Sequence, residues 1–600
     1  MKQSYGSFAR VSAKQWKQAI EKDLKGADYN KKLVWKPVEG IEVQPFYCDT
    51  DGAALFPASA PGVFPFTRDG SRWKICEDIP PLPADKAAAL AGEATEGGAD
   101  RVLFRMPEPV SGAKLKKLLS SVDTAKTGIC FDPSEQKDGG LKQAAELIKS
   151  AGKRKLKDGF ILCDPLGLEV CGEAGRARAN AAVKKLAQTV SLYKENAPGY
   201  RCIGAGGFHG EGADAVEEAA FALALGAEYL VLLKENGVST KAAANAVVFH
   251  FSAGSLFFVE AAKLRAARAV WAHIVEKFDR RADARMRTHV SSSRLNKPVC
   301  DSEVNILRST GEAMAAITGG CDSLSITAYD GGYNPGDSKS QAVARNTQLI
   351  LRHECGFGHV SDPCGGSYYT DALTDKIARA AFELFLEIES KGGFLECARS
   401  GFIKERLEKS AEERENRVAA GKEAIIGVNR YPIEGERIAA RVRRAGARGA
   451  GKEFEKIRAA TEKHAKKKGR FPSCFLVKTG DPAMSSARAV FSVNFFSAAG
   501  FEIIDGGFFT SAAKAATEAA KSRADVFAVC SEDSNYAVFA PAFARALKKK
   551  RKKSIIAVMG NPGEEGGSKC EKAGVEEVIN IRSNILNTLK RILKNSGVKL

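Results

Sequence analysis

His209 is the first residue whose setting suggests chemistry. It lies in the glycine-rich run GGFHGEG at 206–212, just after a predicted strand at Arg201–Gly204. An imidazole at the end of a strand can donate a hydrogen bond to a carbonyl oxygen and stabilise the negative charge that develops there. The same side chain could instead pack or cap at the rim of a sheet. The sequence leaves both interpretations of His209 open.

A second candidate is the segment TGDPAMSS at 479–486, which lies between a predicted strand and a predicted helix. Its Asp481 precedes Pro482, and these two residue types are favoured in the first turn of a helix. We therefore interpret Asp481 first of all as a residue that begins a helix.

The sequence offers little for metal or phosphate chemistry. The other histidines show no pairing at i, i+4, and the 14 cysteines include no C-x-x-C pair. No G-x-x-x-x-G-K-[ST] loop is present. We therefore expect no metal site and no fused nucleotidase domain, and we expect the cysteines to be free thiols.

The elements that would position His209 begin near residue 99, where short apolar runs alternate with alanine-rich helical stretches. Eight predicted strands, with helices between them, favour an α/β fold with a (β/α)8 barrel of the TIM type. A doubly wound sheet would alternate in the same way. The predicted strands are Arg101–Arg105, Thr127–Phe131, Gly159–Cys163, Arg201–Gly204, Tyr229–Leu233, Val247–Phe251, Arg287–Val290 and Leu324–Thr327.

A second α/β region covers the C-terminal part of the chain, with five strand–helix repeats that predict a flavodoxin-like, doubly wound domain. Its predicted strands are Ser473–Val477, Glu502–Ile504, Val526–Cys530, Ser554–Met559 and Glu577–Ile579. We predict an extended N-terminal arm at 1–60, a barrel at 61–397, a helical linker at 398–470 and the flavodoxin-like domain at 471–600.

The chain is basic, with a net charge of +19. The charge is spread along the sequence, and its densest runs, Lys466–Arg470 and Lys548–Lys553, have no aromatic residues between them for base stacking. We therefore expect no nucleic-acid partner, although a basic scaffold or RNA-associated protein is an alternative that rests on the charge alone. The sequence has no membrane span and no secretory signal, which predicts a cytoplasmic protein.

Five segments, taken together in their order along the chain, resemble the methylmalonyl-CoA mutase family. They are WKPVEGIEVQPFY at 35–47, NILRSTGEAMAAITG at 305–319, ARNTQL at 344–349, DPCGGSYY at 362–369 and IIGVNRYP at 425–432. The resemblance implies a substrate-binding barrel followed by a flavodoxin-like cobalamin domain. It also implies the reversible interchange of succinyl-CoA and (R)-methylmalonyl-CoA, for which adenosylcobalamin supplies the radical chemistry.

The chain departs from the cobalamin-binding pattern of that family. Members that bind the cofactor carry D-x-H-x-x-G after the first strand of the domain, and the histidine ligates cobalt. Here Asp481 matches the aspartate, but Ala483 stands at the histidine position and Ser486 at the glycine position. An alanine methyl group cannot ligate cobalt, and no histidine follows His464.

A second departure lies in the loop Ser531–Asp533, where cobalamin-binding members carry small and apolar residues along the nucleotide tail. Its two carboxylates would repel the phosphate of the cofactor.

Two departures concern the barrel. Phe208 and His209 stand at the position of a tyrosine–histidine pair of the catalytic members, so the phenol is missing. The segment FPFTRDGSRWKI at 64–75 keeps Arg72 and Trp73 but lacks the tyrosine that shields the radical.

These departures predict a noncatalytic small subunit. It would form a heterodimer with a large catalytic subunit, which would hold the adenosylcobalamin, and its N-terminal arm could wrap that partner. The alternative is that this chain is itself an active acyl-CoA mutase that uses a cobalamin domain in trans or base-on cobalamin. His209 is the best support for that alternative, and Ala483 is its main obstacle. The sequence leaves open whether an acyl-CoA enters the barrel.

Overall fold

The computed structural model describes residues 11–48, 59–68, 72–152, 156, 158–170, 176–282, 285–446 and 449–600. These residues form two compact units. The first lies within Met1–Ser293, Ser309–Ala328 and Gly336–Ala411, and the second within Arg294–Arg308, Tyr329–Pro335 and Glu412–Leu600. Residues 69–71 of the expected radical-shielding loop lie outside the described residues.

Parallel strands build the first unit. Its described strands are β1 (Lys74–Ile79), β2 (Arg101–Arg105), β3 (Gly128–Asp132), β4 (Gly159–Phe160), β5 (Tyr200–Arg201), β6 (Ile203–Gly206), β7 (Val247–Ala253), β8 (Thr288–Ser292) and β9 (Ser323–Ser325). Seven of them form one curled sheet in the order β3-β2-β1-β9-β8-β7-β6, while β4 pairs with β5.

The segment after β4 lies between the two edges of this curled sheet. The backbone N–H of Leu162 donates to the carbonyl of Phe131 at 2.9 Å, and the N–H of Gly204 donates to the carbonyl of Cys163 at 3.0 Å. The segment is thus hydrogen-bonded to β3 on one side and to β6 on the other. The predicted α/β class is confirmed, with a curled parallel sheet of the TIM type in this unit.

Helices connect the strands throughout the chain. In chain order they are α1 (Ala13–Asp23), α2 (Tyr29–Leu33), α3 (Ala84–Glu96), α4 (Gly112–Ser120), α5 (Leu141–Ala151), α6 (Arg176–Asn196), α7 (Ala215–Glu235), α8 (Thr240–Ala246), α9 (Phe257–Phe278), α10 (Val304–Gly319), α11 (Ser338–His353), α12 (Tyr368–Ser390), α13 (Phe394–Arg399), α14 (Phe402–Ala419), α15 (Ala439–Ala445), α16 (Lys452–Lys468), α17 (Pro482–Ser497), α18 (Ala512–Lys521), α19 (Tyr536–Lys550), α20 (Gly563–Lys572) and α21 (Ile585–Asn595). No helix of the described ranges is long and apolar enough to cross a membrane.

The predicted strand at Tyr229–Leu233 is wrong, because these residues lie inside α7. Every side chain of this helix from Ala215 to Ala227 is buried. A helix that is apolar on all sides contains short apolar runs, and periodicity cannot distinguish such a run from a buried strand.

The strand β1 escapes sequence analysis because its sequence, KICEDI, carries two acidic residues. Both are buried and paired. Glu77 lies 2.5 Å from Arg345, while Asp78 lies 2.7 Å from Arg105, which also bonds Asp132. Buried carboxylates are tolerated inside a sheet when they have such partners, and the partners lie far away in sequence.

The described part of the N-terminal arm contacts this chain's own α12. The ammonium group of Lys376 donates to the carbonyl of Glu42 at 2.6 Å, and the rings of Tyr47 and Tyr369 lie 5.2 Å apart. The arm also contains the helix α1.

The second unit holds a five-stranded parallel sheet. Its strands are β10 (Ser473–Lys478), β11 (Glu502–Phe508), β12 (Val526–Cys530), β13 (Ile555–Val558) and β14 (Glu577–Val578). They lie in the order β11-β10-β12-β13-β14. All five predicted strands of this region are confirmed, and β12 has the predicted bounds.

Replacing Arg105 by methionine tests the dependence of the first sheet on paired buried charge. The substitution keeps an apolar stem but leaves Asp78 and Asp132 buried without their cation. We expect the free energy of unfolding of this unit to fall by about 3–5 kcal/mol, as measured by urea denaturation.

The matched control is Arg379→Met, because Arg379 pairs with Asp375 on α12 and its side chain is 55% exposed. We expect this variant to lose less than about 1 kcal/mol. Equal losses in the two variants would contradict the assignment.

Candidate functional site

His209 lies in a 3₁₀ turn, Phe208–Glu211, that follows β6 directly. Glycines with positive φ flank the turn, Gly207 at 88° and Gly212 at 113°, and they let the chain reverse sharply over the end of the strand. The His209 ring is buried, and its Nε2 lies 2.8 Å from the hydroxyl oxygen of Ser293, just past the end of β8. The turn therefore points the imidazole inward at the carboxyl ends of the strands, where barrels place their active sites.

A fully buried ion cluster underlies this end of the sheet. The Lys263 ammonium group lies 2.5 Å from the carboxylates of both Glu218 and Glu260, and it donates to the carbonyl of Ser252 at 2.6 Å. Burial alone would lower the pKa of Lys263, but the two carboxylates raise it above its ordinary value, so the lysine stays charged. Sequence analysis missed this cluster because charged residues on helices are usually solvated.

Gly254 lies next to both the ion cluster and His209. A Cβ at this position would lie 2.9 Å from the Glu260 carboxylate and 3.6 Å from Cε1 of His209. A side chain at this position would therefore displace the Glu260 carboxylate.

Apolar side chains fill part of the interior of the curled sheet. Alternate residues of the strands pack outward into the large core beneath the helices, and the residues between them form a separate inner cluster. Its members are at most 3% exposed: Cys76, Leu103, Cys130, Phe160, Leu162 and Val248. A through-channel for a long ligand would leave these side chains accessible, so none passes this cluster in the described part of the unit.

Polar side chains complete the same interior on the opposite strands. Nε2 of His250 lies 3.0 Å from the Ser291 hydroxyl, and the two nitrogens of His289 lie 3.2 Å from Ser323 and 3.4 Å from Ser325. His289 is completely buried, and both its ring nitrogens face hydroxyl groups that can donate or accept. The neutral ring is therefore satisfied where it lies.

Arg105 provides a positive charge in this interior. Its guanidinium group donates hydrogen bonds to the carboxylates of both Asp78 and Asp132. Burial would raise the pKa of the Asp132 carboxyl, but Arg105 and His250 hold it below its ordinary value. The interior is thus packed and hydrogen-bonded at the described residues.

The second candidate segment begins α17. Asp481 is the N-cap residue, and its carboxylate accepts the N–H of Met484 at 2.7 Å, with Pro482 in the first turn. Ala483 and Ser486 are exposed, and the Ser486 hydroxyl donates to the carbonyl of Pro482 at 2.7 Å. Every described polar contact of these residues stabilises the helix end.

Acidic side chains from the loop after β12 cover this helix end. The Glu532 carboxylate accepts the N–H of Asp481 at 2.7 Å and the hydroxyl of Ser531 at 2.9 Å. The backbone N–H of Asp481 lowers the pKa of Glu532, so this carboxylate is ionised at neutral pH. Beside it, Asp533 lies 3.1 Å from Arg488 of α17.

The candidate residues thus fall into two separate sets. His209 belongs to the first unit, while Asp481, Ala483 and Ser486 belong to the second. Arg72 and Trp73 were also candidates from the sequence. They form hydrogen bonds to α11 and to the segment that follows it. Trp73 donates from its indole nitrogen to Gln348 at 3.2 Å, and Arg72 donates to the carbonyl of Gly358 at 3.3 Å.

A family model for methylmalonyl-CoA mutase matches residues 142–470. A protein of Porphyromonas gingivalis named methylmalonyl-CoA mutase small subunit is 32% identical to this chain over 99% of both chains. The chain belongs to the methylmalonyl-CoA mutase family. A small subunit from Streptomyces virginiae is 31% identical over 90% of this chain and 91% of its own. The human mitochondrial methylmalonyl-CoA mutase is 31% identical over 70% of this chain and 61% of its own.

One of the segments that resemble the mutase family holds the fold of the first unit together. In DPCGGSYYTD, at 362–371, Asp362 and Asp371 both pair with the buried Arg265 of α9. The guanidinium group of Arg265 thereby fixes the loop before α12 to the core of the unit.

The segment NILRST, which also resembles the mutase family, joins separate parts of the second unit through hydrogen bonds. The buried amide of Asn305 donates to the carbonyls of Pro298 and Tyr329, both at 3.0 Å. Arg308 donates to the Asn305 side chain at 2.8 Å and to the carbonyl of Ile426 at 2.6 Å. Asn305 and Arg308 thus bind backbone carbonyls of the same unit and stabilise its fold.

His289 gives a pH test of the packed interior. Burial lowers its pKa well below the ordinary value, and His250 and Arg105 add to this effect. The unfolded chain binds a proton at this residue near pH 6.5, whereas the folded chain does not. The stabilisation is therefore complete above that pH, and it falls by about 1.4 kcal/mol per pH unit below it.

We expect His289→Asn to remove this part of the acid sensitivity, measured as the difference between the urea unfolding free energies at pH 7 and pH 5.5. His353→Asn, at the exposed end of α11, is the control and should leave the wild-type difference unchanged. An unchanged pH profile in the His289 variant would show that water reaches the interior.

Proposed function

We propose that this chain is the small, noncatalytic subunit of a methylmalonyl-CoA mutase. In this role it supports the isomerisation of succinyl-CoA and (R)-methylmalonyl-CoA that a large catalytic partner carries out. The observation that carries the proposal is the helix end at Asp481. There Ala483 stands at the position of a cobalt ligand, and the Glu532 carboxylate accepts the backbone N–H of Asp481. The names of the relatives from Porphyromonas gingivalis and Streptomyces virginiae support it.

The residues present at this helix end do not fit cobalamin. A methyl group has no lone pair for cobalt, and His464 is the last histidine of the chain. The ionised Glu532 carboxylate would repel the phosphate of the nucleotide tail, whereas Asp533 is paired with Arg488. We therefore assign the adenosylcobalamin of the complex to the partner.

The interior of the first unit supports the same proposal. Phe160 and Leu162 lie in the buried cluster inside the curled sheet, and we propose that these side chains take the place of an acyl-CoA channel. A filled interior stabilises the unit through apolar burial, at about 25 cal/mol per Å². The chain would then contribute interface and stability to the complex in place of a second active site.

The fold and domain boundaries of the proposed subunit follow the family. We propose that the first sheet is an eight-stranded barrel over 61–397, followed by a helical linker over 398–470. The strand order of the second sheet is that of flavodoxin-like domains, which supports a degenerate cobalamin-type domain over 471–600.

The competing function, an active acyl-CoA mutase chain, has one structural observation in its favour. His209 lies at the carboxyl ends of the strands and bonds Ser293. An imidazole there could bind a thioester carbonyl if the turn opened. The two functions predict different outcomes in the following experiment.

The deciding measurement is co-expression of this chain with a large subunit of a methylmalonyl-CoA mutase. We expect the cobalamin absorption spectrum to accompany the large subunit and the complex, and to be absent from this chain alone. Mutase activity should require the large subunit. Stoichiometric cobalamin on this chain alone would overturn the proposal.

A pair of variants in this chain separates support from catalysis. We expect His209→Ala in the complex to leave kcat within about twofold of wild type, because a supporting chain contributes no transition-state contact. His209→Gln is the control that keeps a hydrogen-bonding group beside Ser293. A loss of kcat by about 10²-fold in the alanine variant, in a complex that still assembles, would favour the active-chain alternative.

A further inference from the structure

Most of the net positive charge of this chain lies in its C-terminal third. Residues 412–600 contain 36 of the 91 Lys and Arg residues but only 21 of the 72 Asp and Glu residues. That excess of 15 accounts for most of the net charge of +19. The rest of the chain is almost neutral, so the basic character belongs to one region.

The parallel sheet of the second unit brings the two densest basic runs together. The run Lys466–Arg470 ends α16 and precedes β10, while Lys548–Lys553 ends α19 and precedes β13. Both strands are hydrogen-bonded to β12, which starts just after Arg523. Strands that start side by side lie about 4.8 Å apart, so runs about 80 residues apart in sequence become neighbours at one edge of the sheet.

Direct contacts join the three loops at this edge. Arg470 bonds Asp525 at 2.7 and 2.8 Å, which ties the loop before β10 to the loop before β12. Arg551 donates to the carbonyl of Ala524 at 2.9 Å, which ties the loop before β13 to the same loop. Arg470, Arg551 and Asp525 thus hold the three loops together. The other lysine and arginine side chains of these loops have no part in these contacts.

Besides Arg470 and Arg551, eight lysine and arginine side chains at this edge are exposed. They have no carboxylate partner within the described residues. We call them the basic edge. They are Lys466, Lys467, Lys468, Arg523, Lys549, Lys550, Lys552 and Lys553.

Helix dipoles account for only part of this arrangement. Lysines in the last turn of a helix are favoured by the partial negative charge there, which explains Lys466–Lys468 and Lys549–Lys550. Arg523, Lys552 and Lys553 lie beyond their helices, so the dipole does not explain them. Eight unpaired like charges in one place repel one another, and an anionic partner would relieve that repulsion.

The composition of the basic edge identifies the class of partner. Seven of its eight residues are lysines, whereas protein–protein interfaces are depleted in lysine and enriched in aromatic residues. None of the large exposed apolar side chains of the second unit lies within 463–470, 521–525 or 548–554, so the edge has no group to insert into a lipid surface. It also has no aromatic side chain for stacking on unpaired bases.

We infer that the basic edge binds the phosphate backbone of double-stranded nucleic acid without sequence preference. Flexible lysines act as point charges that neutralise phosphates and release counterions. This function is separate from the mutase role and lies on loops at the amino ends of the strands, away from the loop that carries Ala483. The sequence alone predicted no such partner, because its basic runs look dispersed until the sheet places them together.

The test measures binding of the full chain to a fluorescent 20-base-pair duplex by polarisation, in 50 and 200 mM salt. With about four phosphates neutralised, the affinity should fall about 150-fold between the two salt concentrations. A scrambled duplex should bind equally well. No binding in 50 mM salt would overturn the inference.

The test variant is K549Q/K550Q/K552Q/K553Q, which removes four cations of the basic edge. The control, K114Q/K116Q/K184Q/K185Q, removes four exposed lysines of α4 and α6 and changes the net charge equally. We expect the first variant to lose most of the affinity and the salt dependence, and the control to keep both. Equal losses in the two variants would overturn the inference in favour of net charge alone.

Two further measurements exclude other partners. Vesicles containing phosphatidylserine should not co-sediment with the chain under conditions where the duplex binds. The quadruple variant should still assemble with the large subunit and support mutase activity. Binding of vesicles without duplex binding, or loss of the complex in the quadruple variant, would overturn the inference while leaving the mutase proposal intact.

Discussion

The first unit depends on keeping the interior of its curled sheet filled and electrically paired. Arg105 joins the carboxylates of Asp78 and Asp132, and hydroxyl groups satisfy His289 beside them. A buried charge without a partner is costly by several kcal/mol, so each of these groups restricts what its neighbours can be. This constraint also explains why β1, with its acidic sequence, can be a central strand.

The residues that identify the family bind the chain to itself. Arg265 pairs with Asp362 before α12 and with Asp371 in its first turn. The Asn305 side chain donates to a backbone carbonyl in the second unit. Such contacts can persist when the groups for catalysis are lost, because folding and chemistry draw on different side chains. A family fold with Ala483 in place of a cobalt ligand is therefore physically consistent, and the family assignment by itself does not locate an active site.

The two ends of the second sheet have opposite characters. At the carboxyl ends of its strands, Glu532 caps the backbone beside Asp481 with a negative charge of the chain's own. At the amino ends, helix C-termini and short loops collect lysines around the frame made by Arg470 and Arg551. In a doubly wound sheet the carboxyl end is the usual place for a ligand, and here the Glu532 carboxylate of the chain itself occupies the helix end beside Asp481.

The sequence by itself determined the α/β class, the five strands of the C-terminal sheet and the family. Strand–helix alternation and ordered motifs are local signals, and β12 has the bounds that its apolar run predicts. Tertiary structure alone decided the rest. It placed the apolar run at Tyr229–Leu233 in a helix, since a helix buried on all sides has no polar face to reveal its period. It also paired Lys263 with two glutamates and gathered the basic runs at one sheet edge, because pairing partners and strand order depend on contacts between residues far apart in the chain.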